Sequence, residues 1–297
     1  MLHLLWRVNE LDCIFITNDD GLCKGLESLI TDLHAYKIPL FVVVPSKNKS
    51  ACSMSISLRE KMRLSRRKEV EKNLDKGLAP LRVYTLEGTP ADCSLFIEYA
   101  KGTEVLGNFN PVFAVSGINH GANLSHDILH SGTVGGARQC SMSGIPSIAS
   151  SYCEHGGGDV GISAKLTSEI CFNLWFKKDH LDDLEKSFYS GNLFLNLNIP
   201  KDCNGVFKYG LLGIRDYKNA LAINSIENLD ELEVKFDGPN IIEENIEKTD
   251  VFNVNSKFAS ISLIPTWPYS HPRFPNQELI NSLENINSVE DLSWIFS

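Results

Sequence analysis

From residue 12 to about residue 200 the chain alternates short apolar runs with stretches whose apolar positions recur every three or four residues. Residues 13–16 are an unbroken apolar run, halted by Asn18, Asp19, Asp20 and Gly21. Behind them Leu22, Leu26, Leu29, Ile30 and Leu33 fall on one face of a helix. Residues 39–44 are a second fully apolar run, closed by Pro45. Between residues 56 and 87, β-capable pieces at 56–58 and 81–86 flank a charged middle at 59–76. Thr89 as N-cap and Pro90 at the first helical position then open a helix, with Leu95, Phe96 and Tyr99 as its apolar face. Residues 111–115 read as a third strand that ends in a polar, Gly-rich turn, Ser116-Gly-Ile-Asn-His-Gly-Ala-Asn123. A loop at 130–133 leads into a small-residue helix at 134–142, followed by a strand at 145–149. A longer helix at 160–176 places Ile162, Leu166, Ile170 and Leu174 on one side, and residues 193–197 read as the last core strand. Strands alternating with helices predict an α/β layer sandwich around a mostly parallel sheet.

Beyond residue 200 the pattern changes. Strand-like pieces at 206–214, 220–223 and 258–264 alternate with acidic, Asn-rich loops, and 276–294 reads as an exposed helix or two. Residues 267–275 mix aromatics with prolines, as an arm seeking another surface does. The expected division is therefore a catalytic core at 12–200 and an irregular, β-rich extension at 201–297 that serves as a subunit-contact arm.

Composition narrows the partners. With 43% apolar and 22% charged residues the chain is ordinary globular material. It has 28 Lys and Arg against 37 Asp and Glu, a net charge of −9 that disfavours duplex nucleic acid and anionic membrane. Arg66-Arg-Lys68 is interleaved with Glu60, Glu69, Glu71 and Asp75, the signature of a solvated excursion or hairpin. No apolar run approaches the ~20 residues of a membrane span. Residues 1–7 are too short for a secretory core. Eight cysteines stand singly with no CxxC pair, which fits free thiols in a reducing, cytoplasmic setting.

The chemistry gathers at the βα turns. In an open parallel sheet these turns share the edge where ligands bind. Asp19 and Asp20 repel each other unless a cation lies between them; otherwise they are solvated acids in a common Asp-Gly turn. With Ser50 and the amide of Asn119 they make a set of hard oxygen donors suited to Mg²⁺ or Mn²⁺. Ser131-Gly132-Thr133, opening a helix, offers backbone N–H groups and the positive dipole end to a phosphate, or else is an N-cap alone. His120, His126, His130 and His155 lack metal-ligand spacing, and Gly156-Gly-Gly158 reads as a flexible loop.

These pieces resemble the SurE survival proteins, metal-dependent nucleoside-monophosphate phosphatases. Thr17-Asn-Asp-Asp-Gly21 matches the family's T-N-D-D-G, and Asn48-Lys-Ser-Ala51 its N-R-S-G, with Ala51 in place of Gly. Gly88-Thr-Pro-Ala-Asp-Cys93 and Ser116-Gly-Ile-Asn-His-Gly-Ala-Asn123 match in turn. So do Asp127 to Ala137, with Ser131-Gly-Thr-Val134, then Gly144-Ile-Pro-Ser-Ile-Ala149, and Asn196-Leu-Asn198 followed by Pro200. The likeness is strong over 12–200 and thin beyond, where Thr249-Asp-Val251 and Ser260-Ile-Ser-Leu-Ile-Pro265 are similar to late family segments.

The resemblance implies a three-layer, Rossmann-like α/β fold and hydrolysis of nucleoside monophosphates, as a 5′-nucleotidase with 3′ activity left open. It implies one divalent ion per subunit, held by Asp19, Asp20, Ser50 and Asn119. Ser131, Gly132 and Thr133 take the phosphate, with Asn18 and Asn123 beside the substrate. Asp20 or Asp127 orients the attacking water. Exchanged C-terminal segments imply a homodimer or homotetramer. A haloacid-dehalogenase-type phosphatase is the rival enzyme, but it needs a nucleophilic Asp where Asn18 stands. A non-catalytic nucleotide-binding subunit is the other rival.

Overall fold

The computed structural model describes residues 10–154, 159–175, 183–223, 232–274 and 277–296. The stretches 1–7 and 156–158, together with His155, Phe176, Pro275 and Asn276, lie outside the described residues.

The first half builds one flank of a sheet: β1 (Leu11–Thr17), α1 (Lys24–Ala35), β2 (Leu40–Pro45), β3 (Leu64–Arg66), α2 (Lys68–Leu74), β4 (Leu81–Leu86) and α3 (Pro90–Tyr99). The other flank follows: β5 (Phe109–His120), α4 (Asp127–His130), α5 (Gly132–Met142), β6 (Ser147–Tyr152), α6 (Gly161–Trp175), α7 (Asp183–Tyr189) and β7 (Leu193–Ile199). Residues beyond 200 contribute β8 (Phe207–Tyr209), β9 (Arg215–Lys218), β10 (Leu221–Ile223), β11 (Val234–Phe236), β12 (Asn240–Glu243), α8 (Asp250–Asn255), β13 (Ala259–Pro265), α9 (Gln277–Glu284) and α10 (Ser293–Phe296).

The main sheet runs β3-β4-β2-β1-β5-β6-β7-β13-β8. All pairs are parallel except β3 with β4 and β13 with β7. The central strands lack polar alternation because both faces are covered. Ile14, Ile16, Val42 and Val44 pack into one apolar cluster, while Cys13, Phe15, Phe41 and Val43 pack into another on the opposite face. From β1 the chain winds outward to β2 and then crosses back to β5 on its other side. The strand order therefore reverses between the carboxyl ends of β1 and β5, where such a fold opens a ligand crevice.

Several expectations need correction. Leu22 precedes α1 and is exposed, because the turn at Asn18–Gly21 consumes the residues that would start a helix there. In α3 the buried positions are Ala91, Cys93, Ser94 and Ile97, while Tyr99 is exposed. The small residues face inward because α3 packs closely on α5, with the Ser94 hydroxyl donating to the Gly136 carbonyl at 3.0 Å. Residues 56–58 form no strand; the edge partner of β4 is β3, held by the Arg66–Glu71 pair at 2.9 Å. The polar run after residue 115 is not a turn, since β5 continues to His120 across a register shift between Ser116 and Asn119. Gly117 makes this possible: its φ is +152°, and a Cβ there would lie 2.5 Å from the Ser150 carbonyl oxygen.

The edge of the sheet does not fall at residue 200. β13 lies antiparallel along the whole of β7, and β8 adds a parallel strand beyond it, so 193–197 is not the last core strand. Nor is the C-terminal end exposed: Leu292, Trp294 and Ile295 are buried, with Trp294 against Phe188 at 5.5 Å between ring centroids. Trp267, half-buried, stacks on His271 at 4.4 Å, while Tyr269 in the same segment is exposed. The hairpin elements β9–β12 do stand off the sheet, with Val234, Phe236 and Ile242 exposed. A chain ended at Pro200 is thus expected to lose cooperative unfolding, because β7, buried along its length, would lose its ladder to β13. A thermal melt followed by circular dichroism checks this. A sharp transition near that of the full chain would contradict it.

Candidate active site at the β1–β5 switch point

β1 ends in a turn that Asn18 locks from below. The Asn18 side chain accepts from the Gly21 amide at 2.9 Å and donates to the Gly21 carbonyl at 2.8 Å. Asn18 is fully buried, and its amide braces the turn. The same clamp occupies the position a covalent aspartyl mechanism needs.

The brace sends the neighbouring carboxylates in different directions. Asp19 is buried, and its Oδ1 accepts from the Thr133 hydroxyl at 2.7 Å and its Oδ2 from the Thr133 amide at 3.2 Å. Burial pushes the Asp19 carboxyl above its ordinary range; the Thr133 hydroxyl bond opposes this, and the charge of Asp20 adds to it. Asp20 is more open. Its Oδ1 accepts from the Asn48 amide at 2.8 Å and its Oδ2 from the His120 backbone N–H at 3.3 Å.

Those two bonds draw the remaining donors in. The Asn48 side chain also accepts from the Ser50 amide at 3.0 Å, and the Lys49 amide bonds the Asp19 carbonyl at 2.7 Å, so the loop carrying Ser50 wraps the β1 turn. On the opposite side His120 follows Asn119, which commits its amide nitrogen to the Gly121 carbonyl at 2.9 Å. The loop carrying Ser50 and the strand end carrying Asn119 therefore both border the turn that bears Asp19 and Asp20. Among the described residues no Lys, Arg or His pairs with Asp19 or Asp20. Two neighbouring carboxylates, one of them buried, with hydroxyl and amide oxygens beside them, fit a hard divalent cation.

The Ser131 turn meets this group differently from the expectation. The Ser131 hydroxyl caps α5 by accepting from the Val134 amide at 3.1 Å, and the Thr133 amide is taken by Asp19. Thr133 is thus a partner of the carboxylate first. Gly132 sits so near that a Cβ would lie 2.9 Å from Asp19 Cβ and 2.9 Å from Cys52 Sγ. Asn123 lies deeper: its amide donates to Ser151 Oγ at 2.7 Å and its carbonyl accepts from Asn196 and Asn198 at 2.9 and 3.0 Å. It knits the ends of β5, β6 and β7 together. Asp127 is also placed elsewhere. Both its carboxylate oxygens are bound from β9, by Arg215 at 2.8 Å and the Tyr217 hydroxyl at 2.7 Å. Of the histidines, His120 contributes its backbone N–H, and His126 packs edge-on to Tyr217 at 5.9 Å. The sequence reading assigned no role to Asn48, Arg215 or Tyr217. Asn48 lay inside a matched motif, whereas no local pattern marks the other two.

Thr133→Val is expected to lower kcat/KM for a phosphomonoester roughly 10- to 1,000-fold, the range for losing one preorganised donor. Because the hydroxyl holds Asp19, Mn²⁺ affinity should weaken as well. Steady-state kinetics with a Mn²⁺ titration checks both, and unaltered Mn²⁺ binding would detach Thr133 from the ion site.

A family profile described as "Survival protein SurE" matches residues 14–219, and the chain belongs to that family. It is similar to proteins named "5'-nucleotidase SurE". One, from Caldanaerobacter subterraneus subsp. tengcongensis, is 34% identical over 84% of this chain and 90% of its own. Another, from Campylobacter hominis, is 34% identical over 91% and 97%. The SurE crystal structure from Aquifex aeolicus superposes with a TM-score of 0.67 at 25% identity, covering 92% of this chain and all of that one.

Proposed function

We propose that the chain is a 5′-nucleotidase that hydrolyses nucleoside monophosphates with the help of one divalent ion. The observation that supports this is the tie of Asp20 to Asn48 and the His120 amide and of Asp19 to Thr133, which sets the Ser50 loop, the end of β5 and the Ser131 turn around the two carboxylates at the switch point. Asp19, Asp20, Ser50 and Asn119 would hold Mg²⁺ or Mn²⁺, which would supply Lewis acidity toward a phosphoryl oxygen. The chain's own residues do the rest. Thr133 fixes Asp19 so that its charge does not swing away when the site fills. Asp20, held by Asn48 and the His120 amide, faces the open crevice and orients the attacking water. The Ser131 hydroxyl and the start of α5 hold the phosphate and favour the charge that builds on it.

The names of the relatives support the substrate class, and the free state of all eight thiols supports a reducing cytoplasmic location. Among the described residues no helix is long and apolar enough to cross a membrane. The apolar hairpin of β9–β12 supports assembly with a second copy, and light scattering that finds a monomer would sink that part. Phosphate release from a panel of nucleoside 5′-monophosphates under Mg²⁺ or Mn²⁺, then with EDTA, tests the activity. Release that persists in EDTA would refute the ion's role, and no release from any member would refute the nucleotidase.

A further inference from the structure

Arg215 takes no part in the chemistry above, yet it is only 7% exposed although it lies on an otherwise outward-facing hairpin. Its Nη1 donates to Asp127 Oδ2 at 2.8 Å, and its Nε lies 3.1 Å from Glu243 on the paired strand β12. Tyr217, on the same face of β9, donates to the other Asp127 oxygen at 2.7 Å. A second clasp acts just upstream. Buried Asp250 accepts from the Ser125 amide at 2.9 Å and from the Gly213 amide at 2.7 Å, tying the entrance of α4 to the approach of β9. The four-residue helix α4 is therefore gripped by the C-terminal extension through its first turn.

The other end of α4 belongs to the site. The Asp127 carbonyl accepts from the Ser131 amide at 2.9 Å, which sets where α5 begins and hence where Thr133 meets Asp19. The Leu129 carbonyl accepts from Ser53 Oγ at 2.7 Å, and the His130 carbonyl from the Ser53 amide at 2.8 Å. Ser53 closes the loop that carries Ser50. One short helix thus holds the Ser131–Thr133 turn and the Ser50 loop at a fixed spacing, and Arg215 fixes that helix.

We propose that Arg215 is a positioning residue for hydrolysis: through Asp127 it seats α4 and so aligns the phosphate turn with the metal-ligand loop. The inference rests on the nucleotidase reading above and adds to it a route by which the β9–β12 hairpin governs the site. A fork-shaped cation suits the task, since its planar guanidinium holds Asp127 through Nη1 in a fixed direction; a lysine offers a single point charge.

The test uses the full chain with Arg215→Met, Arg215→Lys and Glu243→Gln, and the double variant Arg215→Met/Asp127→Asn. Three readouts are compared: kcat and KM on a nucleoside 5′-monophosphate at saturating Mn²⁺, the melting temperature, and amide exchange over residues 126–135. Arg215→Met should lower kcat about 10- to 100-fold, the scale of a small misplacement of catalytic groups, with a smaller change in KM. Exchange across Ser131 and Thr133 should quicken. Adding Asp127→Asn should cost little more, because the two residues act as a unit. Glu243→Gln, which removes the charge facing Arg215 Nε and leaves the bond to Asp127 in place, should stay within about 2-fold of the unaltered kcat, well short of a factor of ten. A kcat for Arg215→Met equally close to the unaltered one, or an equal loss from Glu243→Gln, would overturn the proposal in favour of a general pillar of the fold. If Arg215→Met does not fold, Arg215→Lys decides. A several-fold lower kcat with quicker exchange supports the role, and unchanged values refute it. A full chain that hydrolyses no monophosphate defeats the nucleotidase reading instead, and the exchange measurement alone then judges the coupling.

Discussion

Asp19→Asn is expected to abolish divalent-ion-dependent phosphate release while leaving the fold in place. The loss should exceed the roughly 10- to 100-fold cost of removing a group that merely supports a ligand, since a charged donor itself is lost. The fold should persist because the substitution is isosteric and the Thr133 hydroxyl still finds an oxygen at 2.7 Å. Burial holds the Asp19 carboxyl above its ordinary value of 3.8, so the folded chain keeps that proton longer than the unfolded chain does. In the metal-free protein the contribution of Asp19 to stability is therefore full below about pH 3.8 and is lost as the pH climbs through the raised value. The Asn variant carries no charge there, so without metal it should lose less stability than the unaltered chain as the pH rises above that point. With Mn²⁺ the order reverses: the unaltered chain should gain melting temperature by ligand linkage and the variant should not. Kinetics at saturating Mn²⁺ and melts with and without the ion check this. Unchanged turnover, or the same Mn²⁺-dependent rise in both proteins, would remove Asp19 from the ion site.

Gly132→Ala is expected to be nearly as damaging, through sterics and not through charge. An added Cβ would meet Asp19 Cβ and Cys52 Sγ at 2.9 Å and Asp19 Oδ2 at 3.0 Å, closer than such atoms approach. Asp19 leaves the central strand β1, whose flanks are packed by β2 and β5, so its Cβ has little room to retreat. Either Asp19 rotates and drops its bonds to Thr133, or the Ser131 turn moves away. A displacement on the scale of 1 Å costs about 100-fold in rate, and that is the expected fall in kcat/KM. Cys52→Ala opens space on one side only, so combining it with Gly132→Ala should restore part of the loss. Kinetics of the two single variants and the pair check this. A kcat/KM for Gly132→Ala within a few-fold of the unaltered chain, far from the tenfold that about 1.4 kcal/mol represents, would mean that the turn accommodates the methyl group.

These expectations rest on features of two kinds. The sequence by itself determined the α/β class, because β1 and β2 are buried on both faces and the helices after them repeat every three or four residues. It also placed Asp19, Asp20, Ser50 and Asn119 on one edge, since βα turns in a parallel sheet share that edge. Local pattern records that a residue will be buried, and not against what. Hence residues 258–264 were legible as a strand, but only tertiary pairing decided that β13 extends the main sheet beside β7. The face of α3 was misread because its closeness to α5 rewards small side chains over Leu95 and Tyr99. The Gly-rich stretch after residue 115 resembled a turn because glycine serves turns, while here Gly117 lets a strand pass the Ser150 carbonyl. Arg215 and Asp127 are 88 residues apart, and no local period links such a pair. The sequence motif marked Asp127 and Thr133 but not their partners. That Asp127 faces Arg215, and Thr133 faces Asp19, was decided by hydrogen bonds that only the folded chain brings within reach.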